Sequence, residues 1–241
     1  SGRPSGRPPG PRPSRRPRAR YGMSGAKVVY LVRHAESVEN VRVQAWFRFC
    51  DRLRMCLRPQ LGDLGVGLRL LGCDNDAPLS EHGERQLADV SAQLGQMSFA
   101  EEAHLELVVH STRRRAARTC RALFEEHDAV GLDELIEETP FERVVYSQPV
   151  KERLRRFKAW LAARTETRIA VVGHGAYFRL LLEPSGCPVS LSNAEVWRLE
   201  FDAGTQTFRS PVRLVAPRVC ATLQDLAGGG GYGSLESDVR G

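Results

Sequence analysis

Three short apolar runs, separated by longer segments of helical periodicity, constrain the fold of this 241-residue chain more than any other feature. Each run has the length and composition of a strand that is buried on both faces of a parallel sheet. The runs are Val28–Val32, Leu105–Val109 and Ile169–Gly173. Strands that alternate with helices favour an α/β fold. We therefore predict a three-layer sandwich with a mostly parallel central sheet and helices on both faces.

Apolar residues at helical spacing predict three helices between these strands. The first helix should follow Ser80, a residue type that often caps a helix N-terminus. The expected apolar positions are Leu87, Val90, Leu94 and Met97 in the first helix, Ala116, Thr119, Cys120 and Leu123 in the second, and Val150, Leu154, Phe157 and Leu161 in the third. Near the end of the chain, EVWRLEF and TFRSPVRLV flank the turn residues DAG, which predicts an antiparallel hairpin at a sheet edge.

The basic charge is concentrated in an N-terminal tail. Residues 1–20 hold seven arginines, six prolines and no acid, so removing these seven charges from the net charge of +6 leaves −1. Residues 1–22 are expected to be disordered because they cannot bury apolar surface. They could be a solvated tail, an extension upstream of a start at Met23, an RNA-binding arm or part of an organelle-targeting peptide. We assign residues 23–220 to one folded domain, which is not expected to bind nucleic acid, and residues 221–241 to a Gly-rich tail.

Composition and cysteine spacing indicate a protein of the cytoplasm. Hydrophobic content of 41% and charged content of 27% are ordinary for a soluble globular protein. No apolar run approaches the roughly 20 residues of a membrane-spanning helix, so none is predicted. The six cysteines form no C-x-x-C pair and no Cys/His spacing that suits zinc, so we expect reduced thiols. The oligomeric state is left open.

Polar residues follow the three predicted strands where each of them ends. Arg33 and His34 end the first run, Ser111 and Arg115 follow the second, and His174 follows the third. Because ligands of an open parallel sheet bind beyond the carboxyl ends of its strands, these side chains should meet at one rim. Arginines offer planar, charged donors for phosphate oxygens, and a histidine can act as a covalent nucleophile. With no metal-ligand cluster and no P-loop in the sequence, side chains must compensate the phosphate charge, so we expect neither a metal nor a cofactor.

Five motifs in order resemble the histidine phosphatase superfamily, in its phosphoglycerate mutase-like branch. RHAESVEN is similar to the family pattern R-H-G-E-S/T-x-x-N, and DAPLSEHGERQ to D-x-P-L-S/T-x-x-G-x-x-Q. The segment from Ser111 to Thr119 resembles S-x-x-x-R-A-x-x-T, LIE resembles L-x-E, and VVGHG resembles the motif of a second histidine. The resemblance covers roughly residues 27–201.

This resemblance implies the roles of six residues. His34 would become phosphorylated, and Glu137 would protonate the leaving oxygen and then activate water. Arg33, Asn40, Arg115 and His174 would bind the phosphoryl group, with His174 also acting in catalysis. Glu138 stays an alternative proton donor, because the L-x-E register alone separates it from Glu137. His110, where the family often has serine, could either approach the pocket or pack locally.

The implied function is a metal-independent phosphomonoester hydrolase acting through a phosphohistidine on His34. Its substrate would be a small-molecule phosphoester or a phosphoprotein. A phosphoglycerate mutase-type phosphotransferase and a non-catalytic module that binds a phosphorylated partner are the alternatives. The complete set of motif residues favours an enzyme, because a pure binder does not need the glutamate.

An insertion at about residues 41–73 departs from the family pattern. Ala45, Trp46, Phe49, Cys50, Leu53, Cys56 and Leu57 form one helical stripe with arginines beside it, and Pro59 should end this helix. A helix packed on the domain is the simplest interpretation. A lid over the phosphate site, a membrane-surface helix and a partner-binding helix are the alternatives.

Overall fold

The computed structural model describes residues 25–58, 60–68, 76–132, 136, 148–187 and 189–218, and both predicted tails lie outside these ranges. The six strands in the described ranges are β1 (Ala26–Arg33), β2 (Leu107–His110), β3 (Ala129–Gly131), β4 (Arg168–Gly173), β5 (Val196–Asp202) and β6 (Thr207–Val215). The α-helices whose bounds fall within the same ranges are α1 (Val38–Arg54), α2 (Leu61–Leu68), α3 (Glu81–Gln96), α4 (Phe99–Ala103), α5 (Arg114–Leu123), α6 (Gln148–Ala163) and α7 (Gly175–Leu182). A short 3₁₀ helix, Glu183–Ser185, continues α7.

The strands form one mixed sheet in the order β3-β2-β4-β1-β5-β6. The four strands from β3 to β1 are parallel, whereas β5 pairs antiparallel with both β1 and β6. The predicted parallel sheet with an antiparallel hairpin at its edge is therefore confirmed. β1 and β4 lie side by side, so the polar residues that follow them emerge together.

Two apolar clusters cover opposite faces of this sheet, as the three-layer prediction requires. On one face, Leu31 and Val171 pack in the cluster that contains Leu154 and Phe157 of α6. On the other face, the strand neighbours Val32 and Val172 pack in a cluster with residues of α3 and α5. Side chains alternate between the faces along a strand, which is why an unbroken apolar run can supply both cores.

The three predicted helices are present at α3, α5 and α6. Ser80 is the N-cap of α3, and its hydroxyl accepts a hydrogen bond from the Gly83 N–H at 3.0 Å. All of the expected apolar positions are buried or half-buried except Met97, which is exposed because α3 ends at Gln96. The 3.6-residue period predicts the face of a helix well but does not locate its end.

Helix α1 is buried against the domain in its first turns and exposed to solvent beyond them. The backbone and side chains of Ser37 and Asn40 form a capping box at its N-terminus. Ala45 is 1% exposed, but Trp46 is 38% and Leu53 is 50% exposed, so the expected packing of the whole stripe is wrong beyond the first turns. The helix also ends at Arg54, before the predicted stop at Pro59.

The exposed part of α1 is held by α2 rather than by the sheet. Arg48 of α1 and Asp63 of α2 form an ion pair at 3.0 Å, and Arg52 Nε donates to the carbonyl oxygen of Arg58 at 2.9 Å. Together α1 and α2 form a helical hairpin beside the carboxyl ends of the strands. Surface ion pairs of this kind contribute little stability, typically about 0–1 kcal/mol.

Within the described ranges, no helix combines the length and apolar character that crossing a membrane requires. Four cysteines fall in those ranges, and all four are free thiols: Cys50, Cys56, Cys120 and Cys187. This agrees with the reduced state expected from their spacing.

Candidate active site

His34 lies directly after β1, almost completely buried. Its backbone N–H donates to the Gly173 carbonyl oxygen at 3.0 Å, which continues the β1–β4 ladder to the end of the strand. Its Nδ1 lies 2.7 Å from the carbonyl oxygen of Ala35. A carbonyl oxygen can only accept, so Nδ1 carries the ring proton, and in the neutral ring the lone pair is on Nε2.

His174 lies beside His34, directly after β4. The two imidazole ring centres are 5.1 Å apart and their planes are inclined at 68°. His174 Nε2 is within hydrogen-bond distance of Ser111 Oγ, at 2.9 Å. Ser111 itself follows β2, and its N–H donates to Val172 of β4 at 3.0 Å. Residues from the ends of three parallel strands thus meet at one rim, as the sequence predicts.

Arg33 is positioned by two neighbours. Its Nη1 donates to the carbonyl oxygen of Leu191 at 2.7 Å. Its guanidinium also packs so closely on Gly175 that a Cβ at this glycine would lie 2.8 Å from Arg33 Nε. The second-histidine motif therefore needs its glycine to make room for the arginine of the first motif.

Arg115 lies in the first turn of α5 and is 1% exposed. Its Nη1 donates to Glu39 Oε2 at 2.8 Å, and the Glu39 side chain is 8% exposed. Glu39 is not predictable from the first motif, since it occupies a variable position there. Its only sequence signal is an acidic residue directly before Asn40.

Asn40 lies at the rim, where its carboxamide oxygen takes part in the capping box. Asn40 Oδ1 accepts from the Ser37 N–H at 3.0 Å and from Ser37 Oγ at 2.9 Å. Asn193, a second residue that no motif indicates, donates from Nδ2 to the His34 carbonyl oxygen at 3.0 Å. Asn193 precedes β5 and resembles an ordinary turn residue in the sequence.

The second motif holds the loop that follows His34. Ser80 Oγ donates to Glu36 Oε1 at 2.6 Å, and the Glu36 N–H donates to Gln86 Oε1 at 2.9 Å. A Cβ at Gly83 would lie 2.0 Å from the Glu36 carbonyl oxygen, so this close approach requires glycine. In the third motif, Thr119 Oγ1 accepts from the Ala35 N–H at 3.1 Å. These contacts explain why the motifs occur together in one chain.

A cleft of about 200 Å³ opens at this rim. Its walls are Arg33, His34, Asn40, Val43, Gln44, Gly175 and Ala176. Arg115 and His174 lie behind this surface rather than on it, in agreement with their burial. Val43 and Gln44 belong to α1, so the inserted hairpin begins as one wall of the cleft.

Three further residues named in the sequence predictions, Glu137, Glu138 and His110, are not among the described residues that line the cleft. Glu137 and Glu138 lie outside the described residues, although their neighbour Ile136 is completely buried. His110 is half-buried, and its Nδ1 donates to the Ser111 carbonyl oxygen at 2.9 Å, so it packs locally and does not line the cleft.

In the part of the chain that the structure describes, no group of three or more His, Cys, Asp or Glu residues is arranged to hold a metal ion.

Comparisons with known proteins agree with the motifs and the fold. The family model of the histidine phosphatase superfamily (branch 1) matches residues 67–145, a range with Ser111, Arg115 and Glu137 but without His34 and His174. No curated protein matches the chain in sequence.

Three solved structures illustrate the fold. A protein from Escherichia coli K-12, described as a candidate alpha-ribazole-5'-P phosphatase, is 16% identical over 80% of this chain and 97% of its own, with a TM-score of 0.52. Mycobacterial hydrolase 2 is 17% identical over 84% and 96%, with a TM-score of 0.51. YhfR from Bacillus stearothermophilus is 18% identical over 76% and 94%, with a TM-score of 0.50. At such identities the likeness concerns the fold.

The motif order, the family-model match and the sheet topology agree with one another. The predicted resemblance to this family is confirmed over these residues, and a phosphatase is the enzyme class that the resemblance implies. Over residues 67–145 the chain is similar to the histidine phosphatase superfamily, branch 1.

Proposed function

We propose that the chain is a metal-independent phosphomonoester hydrolase that works through a phosphohistidine on His34. The observation that carries the proposal is the 2.7 Å contact between His34 Nδ1 and the Ala35 carbonyl oxygen. This contact holds the proton on Nδ1, and it leaves the lone pair of Nε2 to attack phosphorus. The neutral ring is the reactive form, because a proton on Nε2 would remove the lone pair that attacks phosphorus.

The reaction then has two steps. In the first, Nε2 of His34 forms a bond to phosphorus as the bond to the leaving oxygen breaks, and Glu137 gives that oxygen a proton. In the second, Glu137 takes a proton from water, whose oxygen attacks the phosphohistidine and releases inorganic phosphate. Nε2 recovers its lone pair, so both the histidine and the glutamate return to their starting states.

Positive charge at the rim suits a phosphoryl group in both steps. Arg33 on the cleft wall and Arg115 behind it would donate to phosphoryl oxygens. His174, 5.1 Å from His34 between ring centres, is close enough to donate to the same group. Helix α7 begins at Gly175, and a helix N-terminus adds backbone N–H donors and a favourable dipole for an anion.

The size of the cleft bears on the substrate class. Pockets that enclose drug-sized ligands measure roughly 300–1,000 Å³, whereas this cleft measures about 200 Å³. It accommodates a phosphoryl group and only part of a leaving group. A small phosphoester and a phosphoprotein side chain therefore both remain suitable substrates.

The proposal is tested by an assay of p-nitrophenyl phosphate hydrolysis that follows both nitrophenolate and inorganic phosphate. We expect equal release of the two products and inhibition by orthovanadate, with His127→Ala as a control histidine outside the cleft. Vanadate binding without turnover would instead indicate a non-catalytic phosphate-binding module. Transfer of the phosphoryl group to phosphoglycerate in place of water would indicate a mutase.

A further inference from the structure

The buried carboxylate of Glu39 is hydrogen-bonded to Arg115, one of the arginines expected to bind phosphate. Glu39 Oε2 accepts from Arg115 Nη1 at 2.8 Å, and the two side chains are 8% and 1% exposed. A carboxylate oxygen and a phosphoryl oxygen are equivalent partners for a guanidinium, which binds both through planar charged hydrogen bonds. Glu39 thus makes at Arg115 the contact that a phosphate monoester would make.

Glu39 stands at a position that the first motif leaves unspecified, so the motif itself does not require this contact. It is the second residue of α1 and directly precedes Asn40, at a position where the first motif accepts any residue. An acidic residue in the first turn of a helix ordinarily faces solvent near the positive end of the helix dipole. Here the side chain is buried and its carboxylate is directed at Arg115 instead.

Arg115 is buried in this ion pair and does not line the cleft. Arg33, His34 and Asn40 line the cleft, whereas Arg115 lies behind it. A phosphate dianion placed against Arg115 would lie close to the Glu39 carboxylate, and the two negative charges would repel each other. The carboxylate must therefore withdraw before the phosphate can use this arginine.

We propose that Glu39 is an internal competitor for phosphate at Arg115, so that an oxyanion gains this arginine only by displacing the carboxylate. The proposal rests on the proposed function for the role of Arg115. Glu39 is accordingly a specificity-determining residue: it weakens the binding of free phosphate and limits inhibition by the product. Ligands with a second negative charge near Glu39 are disfavoured further.

Isothermal titration of wild type and Glu39→Gln with inorganic phosphate, and separately with orthovanadate, tests the proposal. Glutamine keeps an oxygen for Arg115 and removes the charge. We expect Glu39→Gln to bind both ions about tenfold more tightly or better, because like-charge repulsion is relieved. In turnover of p-nitrophenyl phosphate, KM should fall and inhibition by phosphate should increase, while kcat should not rise.

Glu84→Gln is the matched control, since Glu84 pairs with Arg118 at 2.8 Å on the surface and does not line the cleft. It should bind phosphate as the wild type does. Glu39→Asp is a second variant that keeps the charge but shortens the side chain, so phosphate should bind more tightly by a smaller factor. If Glu39→Gln does not fold, the phosphate titration of Glu39→Asp still tests the proposal.

Two results would overturn the proposal, and they are distinguishable. If phosphate binds wild type but binds the folded Glu39 variants no more tightly, Glu39 orients Arg115 and does not compete with the ligand, and the proposed function stands. If neither wild type nor the variants bind phosphate or vanadate, the phosphate pocket itself is wrong, and both proposals fail.

Discussion

The backbone of Gly175 packs directly against the guanidinium of Arg33, and a Cβ at this position would lie 2.9 Å from Arg33 Cζ. This contact connects the motif that contains His34 with the motif that contains His174. Arg33 is also held by the Leu191 carbonyl oxygen at 2.7 Å, so it cannot yield without losing a hydrogen bond. Gly175 therefore sets the position of a predicted phosphate ligand without touching the phosphate.

Gly175→Ala should lower kcat/KM for p-nitrophenyl phosphate by a factor on the order of 10 to 10², because a displacement of about 1 Å at a positioned group can have such an effect. Most of the loss should appear in KM, since Arg33 would bind the ground state as well. Gly95→Ala is the control, because a Cβ there meets no atom within 4 Å. Equal kinetics for the two variants would show that the Gly175–Arg33 contact has no role in catalysis.

Glu137→Gln should slow turnover by about 10²- to 10⁴-fold with poor leaving groups, the usual range for a lost proton transfer. The deficit should shrink for p-nitrophenyl phosphate, because nitrophenolate scarcely needs a proton. Rates for a series of aryl and alkyl phosphates measure this dependence. If Glu138→Gln shows the dependence and Glu137→Gln does not, the L-x-E register is off by one residue.

Chelation should leave the activity unchanged, because the proposed charge compensation comes from arginine and histidine side chains. The measurement is kcat/KM for p-nitrophenyl phosphate after dialysis against EDTA, compared with an untreated sample. Activity that disappears on dialysis and returns with added magnesium would contradict the metal-independent mechanism.

Removal of residues 1–22 should change neither the melting temperature nor kcat, since all five motifs lie downstream of the tail. Thermal unfolding and p-nitrophenyl phosphate hydrolysis of the shortened chain test this. A large decrease in either quantity would show that the tail contributes to the folded domain.

The sheet and the convergence of the strand-end residues could be predicted from the sequence. Apolar runs identify buried strands, and in a parallel sheet residues that follow different strands reach the same edge, so Arg33, His34 and His174 had to lie near one another. Ser80 was predictable as a helix cap for a similar reason, because capping depends on local chemistry.

The contacts of Glu39, Asn193 and α1 could not be predicted in the same way. Glu39 and Arg115 are 76 residues apart in the chain, and only the tertiary fold brings the first turns of α1 and α5 close enough for their charges to pair. Asn193 reaches His34 across a loop whose sequence has no periodic pattern. The apolar stripe of α1 predicts a helix face, but periodicity does not indicate what covers that face, and here Trp46 and Leu53 stay exposed.

The central claim is that His34 Nε2 forms a covalent bond to the phosphoryl group. The most direct measurement is rapid acid-free quenching of the enzyme with ³²P-labelled substrate, followed by mapping of the labelled peptide. The account predicts acid-labile, alkali-stable label on His34, and neither label nor turnover in His34→Ala. Label on a serine or cysteine, or near-normal turnover in His34→Ala, would contradict it.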